Sequence, residues 1–225
     1  MYFGEIKKEK LALDLFGLGK IKFGAFKLKL HEKNPDAPLS PIYIDLRNLP
    51  DEIYQTIAEL MAEILKNEKY GYIAGVPNAG DPIADALGEI TKCPPLKLEK
   101  VERNGKRKVV PLEKEWNLRY IRDFKKSHPN ASFENSVVII DDLITHADSK
   151  LETIEALGLP VKKIVVVVNR EQGGKEQLEK RGYKLEAIFS LTKDLLPLYV
   201  KYKKIAQERA NEVIEYIIQN RIGPL

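Results

Sequence analysis

The segment VVIIDDLITHADSK, residues 137–150, constrains the fold most, because four β-branched residues run into two carboxylates and a short polar turn. An unbroken apolar run of this kind predicts a buried strand of a parallel sheet, which delivers Asp141 and Asp142 to its carboxyl end. The turn at 145–149 precedes a predicted helix, whose first backbone N–H groups can bind a phosphate. Carboxylates accept hydrogen bonds from vicinal hydroxyls, so the segment predicts a ribose-phosphate site. A buried strand ended by two solvated acids is the plainer alternative and fits the bare pattern about as well.

A second candidate phosphate loop is GVPNAG, residues 75–80. It follows the short apolar strand YIAG and precedes a helix that carries Ile83, Leu87 and Ile90, which again is an anion-binding geometry. Alone the pattern is weak, because Gly and Pro punctuate many strand-to-helix turns. Together the two loops match the two phosphate ends of a diphosphate ester.

The alternation of strands and helices predicts an α/β fold with a doubly wound parallel sheet, a small N-terminal lobe and C-terminal helices. Helical spacing begins at about Asp51, and a second fully apolar strand runs over residues 164–168. A chain of 225 residues fits one domain. We expect the lobe over 1–48, the core over 49–193 with an insert or mobile loop at 100–136, and the helices over 194–225.

Charge and composition exclude several function classes. The 37 basic and 33 acidic residues are interspersed, which argues against a nucleic-acid partner despite a net charge of +4. No apolar run is long enough to span a membrane. The N-terminus lacks the features of a secretory signal and Cys93 is the single cysteine, so we expect a cytoplasmic protein.

Several segments in this order resemble the orotate phosphoribosyltransferases, which are type I phosphoribosyltransferases, and in particular the form fused to a decarboxylase in animals. The segments are residues 137–150 together with FGAFKLK, SPIYIDLR, GVPNAGDP, VNREQGGKEQLEKRGY and LTKDLLPLY, and they cover most of the chain apart from about 106–136. The resemblance implies transfer of ribose 5-phosphate from 5-phospho-α-D-ribose 1-diphosphate to orotate, which gives orotidine 5′-phosphate in pyrimidine biosynthesis. It also implies Mg²⁺, a homodimer with a shared active site, and a decarboxylase partner that is a separate chain.

The resemblance further implies roles for individual residues. Asp141 and Asp142 would hold the ribose hydroxyls, and these two with Lys100 and Arg103 form the expected catalytic set. Mg²⁺ would be bound through the diphosphate, with Asp141 and Asp142 as the candidate direct ligands. Orotate would be contacted by Lys29, Thr145 and Arg170. The residues expected to bind the ribose diphosphate are Lys29, Val76, Pro77, Asn78, Ala79, Gly80, Asp141, Asp142, Thr145, His146, Ala147, Asp148 and Ser149.

Three departures from the family pattern argue against full catalytic activity. Glu99 stands beside Lys100, and Ala147 occupies a position where Gly would allow positive φ, at an expected cost of about 1 kcal/mol. Asp148 would repel a phosphate by roughly 3 kcal/mol per unit charge if it lay about 5 Å away, unless it points to solvent or pairs with Lys150. These residues favour an alternative in which the protein binds nucleotide or diphosphate with little or no catalysis, as a sensor or subunit. A transferase for another base is disfavoured by Arg170, since a guanidinium suits a carboxylated ring.

The segment 106–136 allows two interpretations of equal weight. It forms either an enlarged lid carrying Lys106, Arg107 and Lys108 or a basic surface hairpin with Trp116 packed against the body.

Overall fold

The N-terminal part of the chain forms a helix and a two-stranded antiparallel sheet. The computed structural model describes residues 2–32, 34–103, 106–112, 119, 121–123, 126–127 and 134–221. Helix α1 spans Tyr2–Gly17, and strands β1 (Ile21–Phe26) and β2 (Ser40–Ile44) pair antiparallel on either side of a short 3₁₀ turn at Lys29–Glu32. The FGAFKLK segment therefore lies partly in β1.

The central sheet has five parallel strands in the order β4-β3-β7-β8-β9. Their bounds are β3 Tyr72–Gly75, β4 Pro95–Leu96, β7 Val137–Ile144, β8 Val161–Asn169 and β9 Leu185–Ser190. Chain order reverses between β3 and β7, which makes this crevice the topological switch point where open α/β sheets bind ligands. The predicted doubly wound parallel sheet is confirmed.

Strand β7 is buried on both faces, as its apolar run predicted. Val138 and Ile140 face the larger core, which includes residues of α1 and the β1–β2 sheet, whereas Ile139 faces a smaller core on the other side. This alternation follows from the two-residue period of a strand. The two charged residues of β7, Asp141 and Asp142, lie in its carboxyl-terminal half.

Seven α-helices are described, and most begin where the sequence indicated. After α1 they are α2 (Asp51–Leu65), α3 (Asp81–Thr91), α4 (Asp148–Leu157), α5 (Gly174–Glu179), α6 (Leu196–Lys201) and α7 (Gln207–Gln219), with a π-helical turn at Leu191–Leu195 before α6. Gly158 ends α4 in the left-handed conformation with φ 60°. Within the described ranges, no helix has both the length and the apolarity needed to cross a membrane.

Part of the predicted insert forms an antiparallel hairpin of β5 (Leu98–Arg103) and β6 (Lys106–Pro111). Leu98 and Val109 pack in a small core with Val137, and β6 lies against α4. Of the two interpretations, residues 106–111 therefore fit the hairpin. Trp116 lies outside the described residues.

Candidate active site

The two candidate phosphate loops meet at the switch point between β3 and β7. The Val76 N–H donates to the Ile140 carbonyl at 2.8 Å, which ties the GVPNAG loop to the end of β7. At Gly80 a Cβ atom would lie 2.3 Å from the Ile140 oxygen, so only glycine fits there. Asn78 takes positive φ, 79°, at the turn. This close packing places the loop next to the carboxyl end of β7, where Asp141 and Asp142 lie.

Asp141 forms a buried ion pair with Lys150. The Lys150 ammonium lies 2.5 Å from Asp141 Oδ2, with side chains 4% and 5% exposed, and it also donates to the Leu143 carbonyl at 2.5 Å. Asp141 Oδ1 accepts the Asp142 N–H at 2.8 Å. Both oxygens of Asp141 are therefore engaged by the protein. Of the two arrangements considered for Asp148, exposure to solvent and pairing with Lys150, the second is not found, because the Lys150 ammonium binds Asp141 instead.

Asp142 differs from its neighbour in its electrostatics. Burial raises the pKa of its carboxyl to about 8, and the charge of the adjacent Asp141 acts in the same direction. Its Oδ1 accepts the Leu143 N–H at 2.7 Å. A hydroxyl that donated to this carboxylate would stabilise the ionised form, so ligand binding and ionisation of Asp142 are coupled.

The turn at 145–149 avoids the backbone strain expected from its sequence. Ala147 has φ −82° and ψ −14°, so it needs no positive φ, and the expected strain is absent. Asp148 is exposed and is the first residue of α4. Of the other turn residues, Thr145, His146 and Ser149 are half-buried. The first-turn N–H groups of a helix lack intrahelical acceptors and so remain available to an anion.

One amide of this turn is used by a side chain that the sequence did not single out. Gln177, on α5, accepts the Ala147 N–H through Oε1 at 3.1 Å. The α5 region packs closely here, since a Cβ at Gly174 would lie 2.8 Å from the Thr145 carbonyl. A phosphate that needed the Ala147 amide would have to displace Gln177. No sequence signal marks this glutamine, because the contact spans 30 positions.

Arg170 leaves the end of β8 and lies beside the turn. Its N–H donates to the Ile144 carbonyl at 3.0 Å, and its side chain is buried with no partner for Nε or Nη2. Burial lowers the pKa of the guanidinium. The Nδ1 atom of His146 is likewise buried without a partner. Burial lowers the pKa of that imidazole, the charge of Asp148 opposes this shift, and the charge of Arg170 adds to it. Buried polar groups in native proteins are paired as a rule, so these atoms indicate a place where a ligand supplies partners.

The hairpin brings a lysine to the diphosphate loop. Lys100 Nζ donates to the Pro77 carbonyl at 3.2 Å. Glu99 is exposed, and because successive residues of a strand point to opposite faces, it points away from the loop that Lys100 contacts. Lys108 is exposed on β6. The side chains of Lys29, Arg103, Lys106 and Arg107 lie outside the described residues.

Asp81 is a carboxylate of the site that the sequence analysis missed. It follows the GVPNAG loop, its Oδ2 accepts the Asn78 N–H at 2.8 Å, and its Oδ1 is buried without a partner. Burial raises the pKa of this group, with the charges of Asp85 and Asp141 acting in the same direction. Among the described residues, no group of three or more His, Cys, Asp or Glu side chains is arranged to hold a metal ion by itself.

Comparison with known proteins gives a consistent result. Bovine uridine 5′-monophosphate synthase is 28% identical over 218 residues, which are 93% of this chain and 40% of that protein. The orotate phosphoribosyltransferase of Pyrobaculum aerophilum is 27% identical over 223 residues, which are 92% of this chain and 97% of the relative. The structure of Leishmania donovani UMP synthase is 31% identical with a TM-score of 0.71, and it matches 94% of this chain and 42% of that one. No family model matches.

This chain is similar to orotate phosphoribosyltransferases along most of its length. The predicted resemblance is confirmed, and the fold is that of the type I phosphoribosyltransferases. The chain spans about two fifths of the length of the two UMP synthases and nearly all of the archaeal transferase. Two residues of the site that the sequence analysis did not single out, Asp81 and Gln177, were found only through the geometry.

Proposed function

We propose that the protein is an orotate phosphoribosyltransferase, which transfers ribose 5-phosphate from 5-phospho-α-D-ribose 1-diphosphate to orotate. The observation that carries the proposal is the buried guanidinium of Arg170, whose Nε and Nη2 have no partner, beside two phosphate-type loops at one switch point. A guanidinium binds a planar carboxylate through two parallel hydrogen bonds, and orotate carries such a carboxylate on its ring. The names of the relatives agree with this assignment.

The transfer needs no nucleophile from the protein. Breaking the bond between C1′ and the diphosphate builds positive charge on the ribose and negative charge on the leaving group. The Asp142 carboxylate stabilises the positive charge on the ribose and accepts a hydrogen bond from a ribose hydroxyl. Lys100, beside the GVPNAG loop, stabilises the negative charge on the leaving diphosphate. Lys150 neutralises Asp141, so the acid pair carries one net charge when Asp142 is ionised. This lowers the repulsion between the acids and the phosphates of the substrate.

Mg²⁺ fits the donor set at this site. The unpaired Oδ1 of Asp81 and the carboxylate of Asp142 are hard oxygen donors of the kind that Mg²⁺ accepts together with substrate phosphates. Bound with the diphosphate, Mg²⁺ would neutralise charge on the leaving group. Because Lys150 occupies Asp141 Oδ2, the direct protein ligand is Asp81 or Asp142 rather than Asp141.

We infer a cytoplasmic homodimer whose neighbouring subunit helps to cover the site, and a separate orotidine phosphate decarboxylase as a functional partner. The two UMP synthases among the relatives support the link to that second activity.

A non-catalytic nucleotide-binding role is the second candidate, and two contacts favour it. Gln177 occupies the Ala147 amide and Lys150 occupies Asp141, so groups that would bind substrate already have partners in the protein. Both candidate functions predict that the protein binds the ligands, but only the transferase function predicts turnover.

A panel of bases tests the primary proposal. The protein is incubated with the ribose diphosphate, Mg²⁺ and either orotate, uracil or adenine, and the products are identified by mass spectrometry. The proposal expects a nucleoside monophosphate from orotate and none from uracil or adenine. A product from uracil or adenine in preference to orotate would overturn the base assignment, and bound nucleotide without any product would favour the second candidate.

A further inference from the structure

Glu171, which directly follows Arg170, adopts a strained backbone conformation just beyond the end of β8. Its φ is 60°, in the left-handed region that residues other than glycine rarely adopt. Strained residues of this kind persist only where the surrounding structure holds them, and they cluster at functional sites. The contacts of Glu171 therefore indicate what this conformation is for.

Two hydrogen bonds hold Glu171 in place. Its backbone N–H donates to Asn169 Oδ1 at 2.8 Å, and its side-chain Oε2 accepts the Thr192 N–H at 2.6 Å. Thr192 belongs to the π-helical turn at Leu191–Leu195 that follows β9. The first N–H groups of a helical turn lack acceptors within it, so a carboxylate is a favourable partner there. The Glu171 side chain thus ties the end of β8 to the element that follows the neighbouring strand.

The backbone of Arg170 is fixed on both sides of its Cα atom. Its own N–H donates to the Ile144 carbonyl at 3.0 Å, and the next N–H along the chain, that of Glu171, is bound by Asn169. The two peptide groups that flank this Cα therefore have defined orientations, which set the direction in which the arginine side chain leaves the backbone. Because Nε and Nη2 of the buried guanidinium have no partner, these two atoms add nothing to that direction.

The carboxylate of Glu171 is adjacent to Arg170 in the chain but does not pair with it. Its Oε2 is engaged by the Thr192 N–H, and Arg170 Nε and Nη2 remain without a partner in the described part of the chain. The left-handed turn therefore leaves these two nitrogens open to a carboxylate from outside the protein.

We propose that Glu171 is a positioning residue of the base site, whose left-handed turn and contact with Thr192 orient the Arg170 guanidinium toward the carboxylate of the base. The inference rests on the proposed function and deepens it. Two parallel hydrogen bonds between a guanidinium and a carboxylate require a defined mutual orientation. An arginine that is held in this orientation beforehand loses less conformational freedom when the ligand binds.

Conservative variants test the proposal. Glu171→Met removes the carboxylate and keeps a side chain of similar length, whereas Glu171→Gln keeps an oxygen that can accept the Thr192 N–H. Glu179→Met is the matched control, because it removes an exposed carboxylate of α5 that pairs with Lys175. Arg170→Ala, alone and combined with Glu171→Met, shows whether Glu171 acts through the arginine. Calorimetric titration of each protein with orotate and with the ribose diphosphate gives the affinities.

Glu171→Met should weaken orotate binding about fivefold, as the loss of one hydrogen bond does, and leave the affinity for the ribose diphosphate unchanged. Glu171→Gln should keep the orotate affinity within about twofold, since the contact with Thr192 is retained. Glu179→Met should change neither affinity. In the Arg170→Ala background, Glu171→Met should have no further effect on orotate, because residues that act through one another are not additive.

Unchanged orotate affinity in Glu171→Met, or an equal loss in the presence and absence of Arg170, would overturn the positioning role. Equal weakening of orotate and the ribose diphosphate would overturn it as well, because it would show a general disturbance of the site. Failure of the original protein to bind orotate would overturn this role together with the proposed function. Binding of orotate without formation of product would overturn only the proposed catalysis, and the affinities would still decide the role of Glu171.

Discussion

At the scale of single residues, the buried Lys150 explains how two adjacent carboxylates coexist at the end of β7. Its ammonium neutralises Asp141 within a contact that excludes water. Asp142 can then ionise when a ribose hydroxyl donates a hydrogen bond to it. An isolated buried charge is costly, so the two members of the ion pair depend on each other.

Removal of one partner from this pair should therefore destabilise the protein strongly. We expect Lys150→Met to lower the free energy of unfolding by about 3–5 kcal/mol, because Asp141 would remain buried and uncompensated. The double variant Lys150→Met with Asp141→Asn should recover much of this loss. Urea denaturation measures both. The control Lys175→Met removes an exposed pair with Glu179 and should change stability by less than about 0.5 kcal/mol. Equal losses in the single and double variants would show that the ion pair is not the cause.

Asp142 should make the stability of the free protein depend on pH. Its pKa is raised from 3.8 to about 8 in the folded state. Between these values the folded state holds a proton that the unfolded state has lost, so stability falls as pH rises through this window. Asp142→Asn removes the titration, and we expect it to raise Tm at pH 8 while changing it little at pH 4. Thermal denaturation at the two pH values checks this, and an equal effect at both would contradict the assignment.

Loss of the Arg170 guanidinium should affect the KM values for the two substrates differently. Arg170→Ala removes the guanidinium expected to bind the carboxylate of orotate, whereas the ribose diphosphate is held by the two loops and Asp142. We expect the KM for orotate to rise by about tenfold or more and the KM for the ribose diphosphate to change little. Steady-state kinetics with each substrate varied in turn gives both values. An equal rise in both would remove Arg170 from the base site.

At the scale of secondary-structure elements, the β5–β6 hairpin places Lys100, a residue of the predicted insert, beside the GVPNAG loop. Lys100 reaches Pro77 within one chain, and Glu99 points to the other face of β5. We expect Lys100→Ala to lower kcat by roughly a hundredfold if the lysine stabilises the leaving diphosphate, and Glu99→Gln to leave kcat nearly unchanged. A large loss in Glu99→Gln would show that the assumed direction of that side chain is wrong.

The elements were easier to predict than the contacts between them. Unbroken apolar runs indicated β7 and β8, and helical spacing indicated α2 and α3, because these patterns are local and follow from burial. The contact between Gln177 and the Ala147 amide depends on how distant elements pack, and no local pattern encodes it. The expected strain at Ala147 was wrong for a related reason: the turn enters α4 in a right-handed conformation and needs no glycine.

At the scale of the whole molecule, the order of the strands places both phosphate-type loops at one crevice. The reversal between β3 and β7 brings GVPNAG beside Asp141 and Asp142, and β8 adds Arg170 next to them. The similarity to orotate phosphoribosyltransferases runs along nearly the whole chain, as does the similarity to the corresponding part of the UMP synthases. This architecture fits two functions: catalysis of the phosphoribosyl transfer, and binding of the ligands without catalysis.

The most direct test follows orotate absorbance in a mixture of the protein, the ribose diphosphate, Mg²⁺ and orotate. We expect a loss of absorbance that requires all four components and falls sharply in Asp142→Asn. Stable absorbance in the complete mixture, with nucleotide binding retained, would contradict the proposed transferase activity.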